Sequence, residues 1–113
     1  MPDQLRQMKC VPCSGDEPQA TDEEIREYQE QVPEWEIVEQ GGVRRLQREF
    51  DFKNFPEALA FTNRVGELAE EEGHHPLLKT EWGKVTVQWW THAIGGLHRN
   101  DFIMAAKTSD AYA

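Results

Sequence analysis

Apolar side chains recur along parts of this chain three and four positions apart, which is the spacing of an α-helix. Over residues 55–69 they follow the i, i+3, i+4 recurrence of one helix face, and Asn54 precedes them as a candidate cap with Glu57 three positions on. Thr21 and Glu24 have the form of a capping box that opens a shorter helix. Gly73 is a candidate stop for the helix that begins after Asn54. A last helix is predicted over residues 98–109, so the pattern indicates three helices.

Between these helices the pattern changes to the alternation of β-strands. Gly41-Gly42 and Trp82-Gly83 are turn sequences, each flanked by two alternating segments. The four predicted strands are residues 35–39, 43–52, 77–81 and 84–92. Alternation places His92 at the end of the fourth strand, on its polar face. The order α-β-β-α-β-β-α predicts an α+β fold, an antiparallel sheet with helices packed on one face.

The first twenty residues show little periodicity and are interpreted as an extended N-terminal arm, followed by one domain over residues 21–113. The arm carries a lone Cys10-Val-Pro-Cys13, which is compatible with half a zinc site, a redox pair or two thiols in a tail. The third reading is favoured because no second Cys or His pair completes a zinc site. Residues 1–18 are therefore expected to be dispensable for folding and catalysis.

Length and charge narrow the possible partners. A chain of 113 residues is expected to form one domain. Its formal charge of −9, from 21 acidic and 12 basic residues, argues against direct contact with nucleic acid. No apolar run approaches the roughly 20 residues that span a bilayer, and the first residues do not resemble a signal peptide, so a cytoplasmic protein without a membrane partner is expected.

Candidate chemistry is concentrated in the second half of the chain, where three of the four histidines occur within nineteen residues. The spaced pattern consists of Glu70, His74, His75, Pro76, Trp82, His92 and Asp101. Imidazole titrates nearest neutral pH and therefore suits general acid and base catalysis.

Metal binding is the main alternative function of these histidines. Neighbours in an extended segment point to opposite sides, so His74 and His75 would not readily chelate one ion, although either could do so with His92. No metal is favoured.

The flanking residues have structural as well as functional interpretations. Glu70, one helical turn before His74, could orient an imidazole or be a solvated acid. Asp101 falls at the third position of the last helix, where a carboxylate satisfies free backbone N–H groups, so it is interpreted as mostly structural. His98 is expected to be a surface residue without a catalytic role. Trp82 and Trp90 could pack in the core or wall a flat aromatic ligand.

This spaced pattern resembles the signature of the pterin-4a-carbinolamine dehydratase family, from about residue 21 to the C-terminus. The resemblance implies a four-stranded antiparallel sheet covered on one side by helices. It also implies a lyase that removes water from 4a-hydroxytetrahydropterin to give quinonoid dihydropterin, a step of tetrahydrobiopterin recycling and biosynthesis that needs no metal or redox cofactor.

A homodimer or homotetramer is expected, since the strand face bearing Trp90 and the apolar last helix would otherwise expose hydrophobic surface.

The resemblance further implies roles for individual residues. His74 and His92 would be the acid–base pair and His75 would chiefly hold the substrate, with Glu70 and Asp101 in support. The implied substrate-binding set is His74, His75, Pro76, Trp82, Thr91, His92, Ala93 and Ile94. An alternative function is a non-catalytic binding protein, a dimerisation cofactor or an assembly chaperone, that uses the same fold. The intact set of three histidines favours catalysis, because a scaffold does not need it.

Overall fold

The computed structural model describes residues 5–11, 15 and 17–112, so the predicted role of Cys13 lies outside the described residues. Within them the order α-β-β-α-β-β-α and the α+β fold class are confirmed. The helices and strands are α1 Asp22–Gln29, β1 Glu36–Gln40, β2 Val43–Asp51, α2 Phe55–Glu72, β3 Leu77–Glu81, β4 Lys84–Trp89 and α3 Arg99–Tyr112. Two 3₁₀ turns, Leu5–Gln7 and His92–Ile94, complete the described secondary structure.

The four strands form one antiparallel sheet in the order β1-β2-β4-β3. Its central pair, β2 and β4, aligns Leu46 with Trp89 and Phe50 with Val85, and all four side chains are buried. Helices α2 and α3 pack against the strands, which places the core on one face of the sheet. Burying this apolar surface is the main stabilising contribution to the layered arrangement.

Helix α2 begins and ends at the predicted signals. The Asn54 side chain accepts a hydrogen bond of 2.9 Å from the Glu57 N–H, and Gly73 ends the helix in the left-handed conformation at φ 66°. A side chain with a Cβ rarely adopts that conformation, whereas glycine does so at little cost. The chain therefore leaves the helix sharply, and His74 is the first residue after the turn.

The predicted end of the fourth strand is wrong, since β4 ends at Trp89 and His92 begins a 3₁₀ turn. The Thr91 N–H donates to the Gly96 carbonyl at 2.9 Å, and Gly95 has a left-handed φ of 62°. This local reversal uses backbone groups that would otherwise continue the ladder with β2. His92 thus lies in a tight turn beside the sheet.

The N-terminal arm contributes an apolar side chain to the core, whereas its expected dispensability for folding and catalysis stays a prediction. Leu5 is only 1% exposed, and its 3₁₀ turn packs against α3. Further along, the Ala20 N–H donates to the Leu97 carbonyl at 2.8 Å. One apolar residue in an irregular segment produces no periodic pattern, so sequence analysis could not detect this contact. The domain boundary near residue 20 stays a prediction.

Helix α3 does not expose the apolar face that was expected of it. Phe102, Ile103 and Met104 are all fully buried within the chain. Trp90 is half-buried, with the Arg45 guanidinium 3.9 Å from its ring centre. Other large apolar side chains are exposed instead: Val11, Phe55, Leu59, Leu77, Trp82 and Tyr112. Among the described residues, no helix has both the length and the apolar character needed to cross a membrane.

Candidate active site

Three chain segments that are far apart in sequence meet at one cleft of about 670 Å³. The first leaves α2 at Gly73, the second is the 3₁₀ turn after β4, and the third is the beginning of α3. The N-terminal segment adds a fourth side. The cleft is lined by Cys10, Val11, Glu72, Gly73, His74, His75, Thr91, His92, Ala93 and Asn100. A concave site with convergent polar groups is the usual form of a small-molecule site.

His74 forms the most strongly constrained contact in this cleft. Its Nε2 lies 2.6 Å from Oδ1 of Asp101, whose side chain is completely buried, while that of His74 is 11% exposed. The imidazole also stacks on the Trp89 indole, with 5.8 Å between ring centres and 8° between planes. Contacts at the ring edge and the ring face together fix the orientation of His74.

Asp101 is held by two further donors at its second oxygen. The Thr91 hydroxyl donates to Oδ2 at 2.8 Å, and the His98 backbone N–H donates to the same atom at 2.9 Å. The carboxylate acts as acceptor throughout, so we assign the hydrogen of the His74–Asp101 contact to Nε2 of His74. In the neutral imidazole Nδ1 then keeps its lone pair, which is available to accept a proton or a hydrogen bond.

The same contacts revise the interpretation of two residues. Asp101 is the third residue of α3 and accepts from the N–H of the residue before the helix, as predicted for a cap. Its other oxygen contacts His74, so the structural and site contacts use different atoms. His98 is half-buried, and its Nδ1 accepts from the Asn100 N–H at 3.1 Å. His98 therefore caps α3, a structural role that its interpretation as a surface residue did not include.

Glu70 contacts His75 and not His74. Nε2 of His75 lies 2.6 Å from Oε1 of Glu70, and these side chains are 60% and 79% exposed. The predicted proximity of Glu70 to an imidazole is thus present, but the imidazole is the next one along the chain. His74 is turned toward the buried Asp101 and His75 toward solvent, as alternation in an extended segment requires.

His92 also lines the cleft and is exposed. Its ring centre lies 4.4 Å from that of Trp90, with 35° between the planes. Arg45, which contacts Trp90, also donates from Nη1 to Oε1 of Gln88 at 3.1 Å. The His92 imidazole is therefore supported by an aromatic contact that is itself anchored to the sheet.

The structure brings together five of the eight predicted binding residues. His74, His75, Thr91, His92 and Ala93 line the cleft, whereas Pro76, Trp82 and Ile94 are not among its lining residues. Thr91 is 2% exposed and its hydroxyl donates to Asp101. Within one chain, its side chain therefore helps to hold the carboxylate that contacts His74.

Trp82 does not line the cleft of a single chain, and its predicted contact with the substrate stays a prediction. Trp82 is 73% exposed in the turn between β3 and β4, at the other end of β3 from His74. Five strand residues extend about 17 Å, which exceeds the reach of an indole. A strand carries successive residues steadily away from its starting point, so closeness in sequence does not place Trp82 beside His74 within one chain.

Several lining residues were missed by sequence reasoning, namely Cys10, Val11, Glu72, Gly73 and Asn100. Gly73 was identified only as a helix stop. The side chain of Asn100 is buried and bonded to the backbone of Val11 in both directions. The spacing of apolar and polar residues cannot predict such a contact, since it joins residues 89 positions apart. Among the described residues, no group of three His, Cys, Asp or Glu side chains is arranged to hold a metal ion.

The model of the family described as Pterin 4 alpha carbinolamine dehydratase matches residues 18–111. The chain belongs to this family. A family member from Marinobacter nauticus, named "Putative pterin-4-alpha-carbinolamine dehydratase", is 59% identical over 108 residues, which cover 96% of this chain and 97% of that protein. A second protein of the same name, from Chlorobium limicola, is 61% identical over 93% of each chain.

The dehydratase family assignment agrees with a solved structure. The crystal structure of a transcriptional coactivator/pterin dehydratase from Brucella melitensis aligns with a TM-score of 0.77 and 28% identity, covering 85% of this chain and 100% of that one. The α+β architecture described above therefore matches that of a solved protein named as a pterin dehydratase.

Proposed function

We propose that this chain is a 4a-hydroxytetrahydrobiopterin dehydratase, a lyase that removes water from a 4a-hydroxytetrahydropterin to give the quinonoid dihydropterin. The observation that supports it most is the imidazole of His74, held at 2.6 Å by the buried Asp101 on the wall of a cleft. The cleft also contains His75 and the exposed His92. Recycling of a pterin cofactor would be the physiological context.

The proposed reaction needs an acid and a base on one flat substrate. The 4a-hydroxyl leaves as water when it receives a proton, and the neighbouring ring nitrogen loses its proton as the carbon–nitrogen double bond forms. We assign the base to Nδ1 of His74, because the contact of Nε2 with Asp101 orients the ring and leaves the lone pair on Nδ1. His92 then donates the proton to the leaving hydroxyl. Solvent returns both residues to their starting protonation, so only water is lost from the substrate.

His75 is assigned to substrate binding in this scheme. It lines the same cleft but pairs with an exposed carboxylate, which gives it less constraint than His74. Backbone groups of residues 74–76 and 91–94 would hydrogen-bond the edges of the pterin. No metal or redox cofactor takes part in the scheme, since the step transfers protons and expels water without a net change in oxidation state.

One assay tests the proposal directly. An aromatic amino acid hydroxylase generates the 4a-hydroxytetrahydropterin in place, and its dehydration is followed by ultraviolet absorbance. The purified chain should accelerate the absorbance change above the rate in buffer, and a chelator should leave the acceleration unchanged. The matched control is the double variant His74→Ala/His92→Ala. Acceleration equal to that of the double variant would reject the enzyme assignment, and loss of activity with chelator would reject the metal-free scheme.

A binding role is the second candidate, and it is favoured by one observation. The aligned Brucella melitensis protein is described as a transcriptional coactivator as well as a pterin dehydratase. A binding role does not require the histidine set. A chain that shows no turnover while retaining its fold would therefore support this alternative.

We also propose that the chain forms a homodimer or homotetramer. Phe55 and Leu59 lie one turn apart on α2 and are 41% and 43% exposed. Residues at this spacing share one helix face, so they form an apolar surface that a second copy could cover. Light scattering at micromolar concentration should give a multiple of 13.1 kDa, and Leu59→Glu should lower it. A monomer mass for the unsubstituted protein would reject the proposal.

A further inference from the structure

The described parts of the N-terminal segment are bonded to the candidate active site at Cys10 and to a residue beside it at Gln19. The Cys10 N–H donates to Oε1 of Glu72 at 3.0 Å. Nε2 of Gln19 donates to the Ile94 carbonyl at 3.2 Å. Between them a Cβ on Gly15 would lie 3.6 Å from the Ala93 carbonyl oxygen. The described parts of this segment therefore follow the rim of the cleft.

Asn100 supplies the most specific of these attachments. The Val11 N–H donates to its Oδ1 at 3.1 Å, and its Nδ2 donates to the Val11 carbonyl at 2.7 Å. Asn100 is only 1% exposed and is the residue immediately before Asp101. A paired amide contact of this kind sets both the position and the direction of the backbone it binds. The placement of Val11 is thus coupled to the helix start that carries the carboxylate bonded to His74.

The chemistry of this wall follows from which of its groups are already bonded. The N–H groups of Cys10 and Val11 and the carbonyl of Val11 are taken by Glu72 and Asn100. What these residues present to the cleft is therefore mainly the apolar side chain of Val11, which is 42% exposed, and the partly buried Cys10 side chain, whose Sγ also contacts the Asn100 carbonyl at 3.8 Å. The other sides of the cleft carry imidazoles. An apolar surface among polar groups suits a flat heteroaromatic ring, whose faces are apolar and whose edges form hydrogen bonds.

We propose that Cys10 and Val11 form a wall of the pterin-binding site and that Asn100 is the positioning residue that holds this wall in place. The proposal rests on the pterin substrate class of the proposed function and adds the N-terminal segment to the site. The wall contributes to ligand binding and leaves proton transfer to the histidines. Its removal should therefore raise KM while kcat changes little.

Ligand protection of Cys10 tests the contact without any turnover. In Cys13→Ser protein, treated with reductant that is then removed, Cys10 is the only thiol. Its alkylation by iodoacetamide is timed with and without 7,8-dihydrobiopterin, whose binding is measured separately by tryptophan fluorescence. At a pterin concentration about ten times Kd, alkylation should slow about tenfold if the bound ring covers the thiol. An unchanged alkylation rate at saturating pterin would overturn the proposal.

Kinetics of point variants test the energetic role of the wall. Val11→Ala should raise KM about 3- to 10-fold, since it removes two methyl groups from an apolar contact. Asn100→Ala should raise KM by at least as much, with kcat within about twofold of the parent if only binding is affected. The matched control is Lys9→Ala, which truncates an exposed residue of the same segment that does not line the cleft. Its KM should not change.

The possible outcomes separate this proposal from the proposed function. Turnover by the parent protein with no protection of Cys10 and no change in KM for Val11→Ala would leave the dehydratase standing and reject the wall. Pterin binding with protection but no turnover would support the wall and reject the enzyme. Absence of both binding and turnover would reject both. Thermal unfolding of each variant identifies loss of fold. If Asn100→Ala does not fold, the KM of Val11→Ala and the protection of Cys10 decide whether the wall contacts the pterin.

Discussion

Two adjacent histidines of this chain make the same contact in opposite surroundings. His74 and His75 each place Nε2 at 2.6 Å from a carboxylate oxygen. The His74 partner, Asp101, is 0% exposed, and the His75 partner, Glu70, is 79% exposed. Distance alone would rank the two pairs as equal. Their energetic and chemical consequences differ because water screens one pair and is excluded from the other.

The buried pair is also the one with more partners. Asp101 accepts from Thr91 and His98 in addition to His74, and His74 stacks on Trp89. The exposed Glu70 and His75 pair has no comparable support among the contacts described for it. We infer that a side chain in the first environment can hold one tautomer in one orientation, as proton transfer requires. The second environment suits adaptable contact with a ligand.

The largest difference is expected when each carboxylate is removed. Asp101→Ala leaves the Thr91 hydroxyl, the His98 N–H and the His74 ring without their acceptor, so it should lower the free energy of unfolding by about 3–5 kcal/mol. Glu70→Ala should lower it by about 0–1 kcal/mol, the range for exposed pairs. Urea unfolding of the two variants measures both values. Equal losses would contradict the contrast drawn here.

Turnover is expected to separate the two histidines next. His74→Ala should reduce kcat by about 10²-fold or more, the usual contribution of one positioned acid or base, and His92→Ala should do the same. His74→Gln, which can still donate to Asp101, controls for loss of fold. Steady-state dehydration assays provide the values, and unchanged turnover in both alanine variants would remove the proposed acid–base pair.

A smaller effect is expected at His75, on substrate binding. His75→Ala should raise KM by about tenfold and change kcat much less, because it removes binding that is shared by substrate and transition state. The same dehydration assay, run over a range of substrate concentration, separates the two constants. A fall in kcat as large as that of His74→Ala would show that exposure does not distinguish the two residues.

The smallest effect is expected from Glu70→Gln. This change keeps the side-chain length and removes the charge of an exposed partner, so kcat should stay within about twofold and stability within about 1 kcal/mol. Added salt should have the same small effect on the parent protein, since exposed pairs are screened. A marked loss of activity would assign Glu70 a role in the reaction beyond orienting His75.

Much of the fold was predictable from the sequence, because its signals are local. The capping residues Thr21 and Asn54, the stop at Gly73 and the alternation in the strands depend on neighbours within a few positions, and each is found as predicted. Such signals act through short-range hydrogen bonds and side-chain periodicity. The same reasoning overextended β4, since the bond from Thr91 to Gly96 that turns the chain away is invisible to a strand pattern.

The candidate site shows where local reasoning stops. The sequence placed His74, His75 and His92 together as a set, and spacing showed that Glu70 could reach an imidazole. It could not show that His75 takes this partner while His74 takes Asp101, which lies 27 residues further on. It also gave no sign that Leu5 enters the core or that Asn100 holds Val11 at the cleft.

Residue types and short-range spacing thus determined the elements of this protein and its supply of proton-transfer groups. Only the tertiary structure decided which of these groups are buried, which are paired and which lie beside the N-terminal segment. The physical reason is that burial and pairing depend on contacts between distant parts of the chain. Removing water from His74 and Asp101 requires α2, β4 and α3 to pack together, and no one of these segments contains the information by itself.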